Sequence, residues 1–102
     1  MTTPCTPGTR IQDGTVGELG GLRCGVGNVG RRDDGRWEAT LSVWRPGMAD
    51  DDPARFRGAV VAGARLTVGG VTLRVVSVDD GALGALPGSS ERAVCVEVVG
   101  EP

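Results

Sequence analysis

Residues 25–30, Gly25-Val26-Gly27-Asn28-Val29-Gly30, spell the GxGxxG pattern, and Asp50 follows about 20 residues later, as the ribose-binding acid of a dinucleotide site would. That chemistry needs a helix starting at the glycines, so that its N-terminal amides face the pyrophosphate. Here Arg31-Arg32-Asp33-Asp34-Gly35 reads as a turn and the element after it as a strand, so no cofactor is expected and the glycines are assigned to the backbone. Asp50-Asp51-Asp52 offers the carboxylate oxygens a hard cation takes, but consecutive side chains do not converge as alternate loop positions do, and the EF-hand glycine and glutamate are missing. A solvated loop ended by Asp52-Pro53 is expected, with no metal, and Asp79-Asp80-Gly81 reads as turn chemistry in the same way. Ser89-Ser90 follow Gly88 without a GxSxG elbow, and the chain has no His to activate a hydroxyl or thiol or to join a zinc site. Acid–base chemistry would have to come from Asp, Glu, Arg or thiolates that any surface carries. No catalytic residue is assigned, and a binding role is favoured over an enzymatic one.

The residues singled out for binding are Trp44 and Arg45. Trp44 lies seven positions after Trp37 along an alternating segment, so the two indoles should point to opposite faces, and if Trp37 is core then Trp44 is not. An uncovered indole beside an arginine is a recognisable anchor for a protein partner, burying a large area with directed donors alongside. The competing expectation is that the loop over residues 46–55 folds across Trp44 and packs Met48 or Phe56 on the ring.

These residues need strands to position them. In residues 36–45, Trp37, Ala39, Leu41 and Val43 alternate with Glu38, Thr40, Ser42 and Trp44, the period of a half-buried strand, and residues 22–29 read as its hairpin partner. In residues 63–78 a Gly69-Gly70 turn would set Val68 opposite Val71 and Leu66 opposite Leu73, leaving Thr67, Thr72 and Arg74 on the other face. Residues 56–62 and 93–99 add strands, the latter with Val94, Val96 and Val98 inward, and residues 15–19 suggest another. Residues 46–55 and 79–92 read as loops, with at most a helical turn at 82–86. The expected fold is all-β, an antiparallel β-sandwich or small β-barrel of six to seven short strands, with residues 1–102 a single domain and residues 1–9 a flexible tail. Val60-Val61, Val75-Val76 and Val98-Val99 put apolar residues on both faces, which calls either for a covering layer or for bulges that shift the register.

Composition narrows the partners. The hydrophobic fraction holds fifteen Val and nine Ala against one Ile, one Phe and two Trp, so small β-branched side chains must build the core. All eleven cations are Arg, a bias that points to a GC-rich bacterial genome. A formal net charge of −2 lacks the basic excess that drives phosphate-backbone binding, so nucleic acid is not expected. No segment reads as a membrane span or a signal peptide, and a soluble cytoplasmic protein is the expectation. Cys5, Cys24 and Cys95 are odd in number, and Cys95 is out of phase with the core face of its strand, so free thiols rather than a disulfide scaffold are expected.

Residues 64–79, Ala64-Arg65-Leu66-Thr67-Val68-Gly69-Gly70-Val71-Thr72-Leu73-Arg74-Val75-Val76-Ser77-Val78-Asp79, resemble hairpins of small uncharacterised all-β proteins of high-GC actinobacteria. Similar hairpins occur in phage connector proteins and other small β domains. The resemblance covers less than a fifth of the chain and implies a hairpin, not an activity. Three functions stay open on the sequence: a binding or accessory domain recognising a protein through an exposed sheet face, a small barrel that binds or cyclises an apolar small molecule, and a self-associating structural protein.

Overall fold

Period-two alternation and paired glycines translate into strands and reversals. In the computed structural model, which describes residues 8–79 and 92–100, the strands are β1 (Thr9–Gln12), β2 (Val16–Leu19), β3 (Leu22–Arg31), β4 (Trp37–Trp44), β5 (Phe56–Val61), β6 (Arg65–Val68), β7 (Val71–Asp79) and β8 (Ala93–Gly100). They form two antiparallel four-stranded sheets, β1-β8-β7-β6 (sheet A) and β2-β3-β4-β5 (sheet B). The protein is therefore all-β and a small sandwich, which decides between the two expected architectures.

The β6–β7 hairpin has the register its sequence dictates: Leu66 opposes Leu73 and Val68 opposes Val71, all four buried, while the Thr67 and Thr72 hydroxyls meet at 2.9 Å on the outer face. Gly69 and Gly70 adopt φ of +57° and +84°, the left-handed pair of a type I′ turn, which other residues adopt only with strain. The β3–β4 pairing and the strands at residues 56–62 and 93–99 are also as expected. The strand not anticipated is β1, because Thr9-Arg10-Ile11-Gln12 carries a single apolar residue. Ile11 is nonetheless buried in the core, and Thr9 pairs with Val96, so Thr9 belongs to a sheet and not to the tail expected over residues 1–9. Residues 1–7 lie outside the described residues, as do Asp80, Gly81, the helical turn expected at 82–86, and Ser89-Ser90.

Two chain segments cross from one sheet to the other. After β1 the chain turns at Asp13, whose amide donates to Arg92 O, and Gly14 and Thr15 pair with Val26 before β2 begins. After β5, Gly63 and Ala64 pair with Val75 of the opposite sheet before β6 begins. The first corner is tight: a Cβ on Gly17 would sit 2.8 Å from Ile11 Cγ1, and Ile11 has no room to retreat.

Bulges resolve two of the valine doublets. The β7–β8 register shifts between Val75 and Ser77, leaving Val76 as the extra residue, and again where Thr72 opposes Gly100 and Leu73 opposes Val98, leaving Val99 extra. A covering subunit is not needed to explain them. A third bulge lies in β3: Gly27 opposes Thr40 but Gly30 opposes Glu38, so the inward set changes from Leu22, Cys24 and Val26 to Val29. Asn28, at φ +52°, supplies the left-handed residue there, a conformation asparagine tolerates better than most.

Between the sheets, Leu22, Leu41, Leu73, Val43, Val68, Val75, Val94 and Val96 are fully buried, each worth about 1.5–3 kcal/mol of removal from water. Leu41 stands between Val26 and Gly58 in the middle of sheet B. Cys24, inward as its alternation requires, is a free buried thiol. Cys95 departs from expectation. It does lie out of phase with Val94 and Val96, but it is disulfide-bonded rather than a free thiol, and it is buried on the outer side of sheet A. Phase along a strand reports which face a cysteine occupies, not whether another part of the chain covers that face.

Candidate binding face

The outer face of sheet B is built from the polar half of each alternation. On β4 it presents Glu38, Thr40, Ser42 and Trp44, while Ala39, Leu41 and Val43 face the core. The neighbours of this row are unusually small on one side: Gly25 opposes Ser42 and Gly27 opposes Thr40. On the other side Arg57 opposes Ser42 and Ala59 opposes Thr40, and at the far edge Val16 opposes Gly25. Because two adjacent outward positions of β3 have no side chain, the face is a hollow floored by bare backbone. Its volume is about 470 Å³, and Thr15, Val16, Thr40, Ser42, Trp44 and Arg57 are among its walls.

Trp44 sits at one end, half-buried, its ring edge over Gly25, where a Cβ would come within 3.7 Å of the indole. Trp37 packs against the core, so the two indoles do take opposite faces. The loop after β4 folds back as expected, but Met48 and Phe56 pack against the core and it is Arg55 that covers Trp44, its guanidinium carbon 5.0 Å from the ring centroid. Arg55 is held there by Ala49 O at 3.3 Å and Asp50 Oδ1 at 3.1 Å. Asp52 accepts the Ala54 amide at 2.8 Å, so Asp50 and Asp52 have roles in shaping this loop.

Arg45 does not belong to the face. One residue beyond Trp44 the direction reverses, and its Nη2 donates to Gly69 O at 2.7 Å, tying the end of β4 to the hairpin turn of sheet A. The arginine that lies in the hollow without an ion pair or hydrogen bond among the described residues is Arg57. The hollow is lined by two guanidiniums and no carboxylate; acidic groups stand outside it, with Glu18 paired to Arg23 at 3.3 Å and Asp50 behind Arg55.

No family model, curated protein or solved structure matches the chain. What can be said of function rests on its own residues.

Several other chemistry-bearing groups among the described residues are committed to structure. Residues 25–30 lie in a bulged strand followed by a turn and a strand, so Gly25 and Gly27 floor the hollow and Gly30 lies beyond the bulge, opposite Glu38. A second hollow of about 500 Å³ at the β3–β4 turn is lined by Arg31, Arg32, Asp33, Asp34 and Glu38, where Arg32 pairs with Asp34 at 3.6 Å and Glu38 at 4.0 Å and the charges offset one another. Arg92 stacks over Trp37 at 5.8 Å and donates to Val29 O at 3.1 Å, bridging the sheets. Asp79 ends β7 and pairs with Arg10 at 3.4 Å. Burial pushes the Cys24 thiol up to about 11, leaving it protonated and unreactive at neutral pH.

The sequence singled out Trp44 but missed Gly25, Gly27, Arg55 and Arg57. A signal existed: Gly-x-Gly in a strand opposite the hydroxyls of Thr40 and Ser42, with Arg-x-Arg entering the next strand.

Proposed function

We propose that the protein is a non-enzymatic binding domain that recognises a protein partner through the outer face of sheet B, with Trp44 as its anchor. The observation that carries this reading is a half-buried indole, stacked by Arg55 yet standing over glycine backbone beside the uncommitted guanidinium of Arg57, in an open hollow. Such a site offers apolar area, cationic donors and hydroxyls at little entropic cost, the composition of an interface centre. A ligand held between the sheets gains no comparable support, because leucine and valine side chains pack that space. Among the described residues no helix is long and apolar enough to cross a membrane.

The face is tested by acrylamide quenching of Trp44 in a Trp37→Phe background, with capture of partners on the immobilised full chain. Quenching of Trp44, together with partner retention lost in Trp44→Ala, supports the reading. Retention undiminished by Trp44→Ala refutes it.

The working compartment follows from Cys95. A disulfide persists in an oxidising setting and is rare in a reducing cytosol, so this feature favours an oxidising compartment over the cytoplasm expected from the sequence. Alkylation of the unfolded protein, taken from its own cell without reductant, should then modify Cys24 and leave Cys95 unmodified. Alkylation of Cys95 would place the chain in a reducing compartment.

A further inference from the structure

We infer that the occupant of the hollow is an extended peptide segment of the partner, lying across the strands with a carboxylate on Arg57 and an apolar side chain near Val16; this rests on the binding-face reading above. One row of cross-strand neighbours, Val16, Gly25, Ser42 and Arg57, runs over all four strands of sheet B. Three interstrand spacings make that row about 14 Å long, the reach of about four extended residues. Its chemistry changes along its length: an exposed valine, a stretch of bare backbone at Gly25 where a chain can lie close, a hydroxyl, then a guanidinium. A carboxylate three to four residues from an apolar side chain matches that order.

Charge selects a short acidic segment over a polyanion. Arg55 and Arg57 are the charged residues lining the hollow, and the nearby carboxylates Glu18, Glu38 and Asp50 are each paired with an arginine, Arg23, Arg32 and Arg55. A single carboxylate answers the guanidiniums of the hollow, while a chain net charge of −2 lacks the basic excess that a run of phosphates needs. Arg57 presents the planar fork that holds a carboxylate by two parallel bonds, and no ion pair or hydrogen bond within the described residues competes for it. Arg55, fastened to Asp50 and stacked on Trp44, keeps the wall in place.

The test is a display selection of random octapeptides on the full chain, followed by titration of the most enriched synthetic peptide, carrying a fluorescein label, by fluorescence anisotropy against the full chain and its variants. Enriched peptides should carry Asp or Glu three to four positions from an aliphatic or aromatic residue. Arg57→Gln should weaken binding about tenfold or more, as should the Asp→Asn or Glu→Gln form of the peptide, with little further loss when both changes are combined. Arg65→Gln, an exposed arginine on sheet A, should leave affinity unchanged. Affinity lost in Trp44→Ala but kept in Arg57→Gln overturns the carboxylate occupant and leaves the face standing. Indifference to both variants, or no enrichment above the bare support, overturns both readings. Tighter binding of a single-stranded DNA 12-mer, abolished by Arg57→Gln, replaces the peptide with a nucleic acid.

Discussion

Raising the pH from 8 to 11 should destabilise the fold through one side chain, Cys24. Its thiol ionises at about 11 when folded against 9.0 for a free thiol, because burial disfavours the thiolate. Below pH 9 both folded and unfolded chains keep the proton, and the contribution to stability is fully present. As the pH climbs from 9 towards 11 the unfolded chain releases it while the folded chain holds it, so stability falls. Linkage puts the loss at about 1.4 kcal/mol by pH 10 and about 2 kcal/mol by pH 11. For a domain of this size, about 1.4 kcal/mol corresponds to roughly 5–11 °C in Tm. The background is simple: the chain has no Lys, Tyr or His, Cys24 is the free thiol among the described residues, Cys95 is disulfide-bonded, and arginines stay charged beyond this range. Tryptophan-detected melts at pH 8, 9, 10 and 11, run on the non-reduced protein and on Cys24→Ala, isolate the effect. Wild type should lose Tm above pH 9, while Cys24→Ala, less stable throughout, should stay nearly flat. A slope equal in both proteins would refute the assignment and point to the backbone or to another thiol.

Other substitutions probe the corner, the hollow and the strap. Gly17→Ala places a methyl 2.8 Å from Ile11 Cγ1 and should cost about 1–3 kcal/mol in urea denaturation, whereas a neutral result would show that the β1–β2 corner relaxes freely. Gly25→Ala places a Cβ at ordinary contact distance, 3.7 Å from Trp44 and Val16, so Tm should hold while peptide binding weakens; retained binding would remove Gly25 from the floor. Arg45→Ala deletes the bond to Gly69 O and should lower stability by about 0.5–1.5 kcal/mol without changing partner affinity. Weakened affinity would return Arg45 to the site.

Much of the architecture is written in local pattern. The Gly69-Gly70 turn sets its own hairpin register, and the strict alternation from Trp37 to Trp44 decides which indole faces the core. What escapes local reading depends on distant partners. Arg45 was paired with Trp44 by adjacency, yet adjacency in a strand means opposite faces, and its guanidinium reaches the other sheet. Arg55 and Arg57 lie far along the chain and reach the hollow only because the loop doubles back and β5 runs antiparallel to β4. Gly25 and Gly27 read as accidents of a glycine-rich chain until the register places Ser42 and Thr40 opposite them. The valine doublets were ambiguous because a bulge and a covering layer leave the same mark on sequence. β1 was invisible because one isoleucine carries it, and the Cys95 disulfide because phase says nothing of what covers a face.

The two sheet-crossing corners have a consequence for how the molecule assembles. Because the chain itself turns each corner, every ladder except one joins strands consecutive in sequence; the exception pairs β1 with β8. Hairpins can therefore form early over short loops, leaving β1 and β8 to meet last, when closure entropy is most costly. The transition state should contain the β6–β7 hairpin and lack the β1–β8 seam, so Leu73→Ala should slow folding whereas Ile11→Val should mainly hasten unfolding. Stopped-flow rates showing the reverse would mean that the ends meet first. With the order expected here, the free edge of β8 stays open until the short β1 docks on it, so β1 acts as the latch that closes the seam.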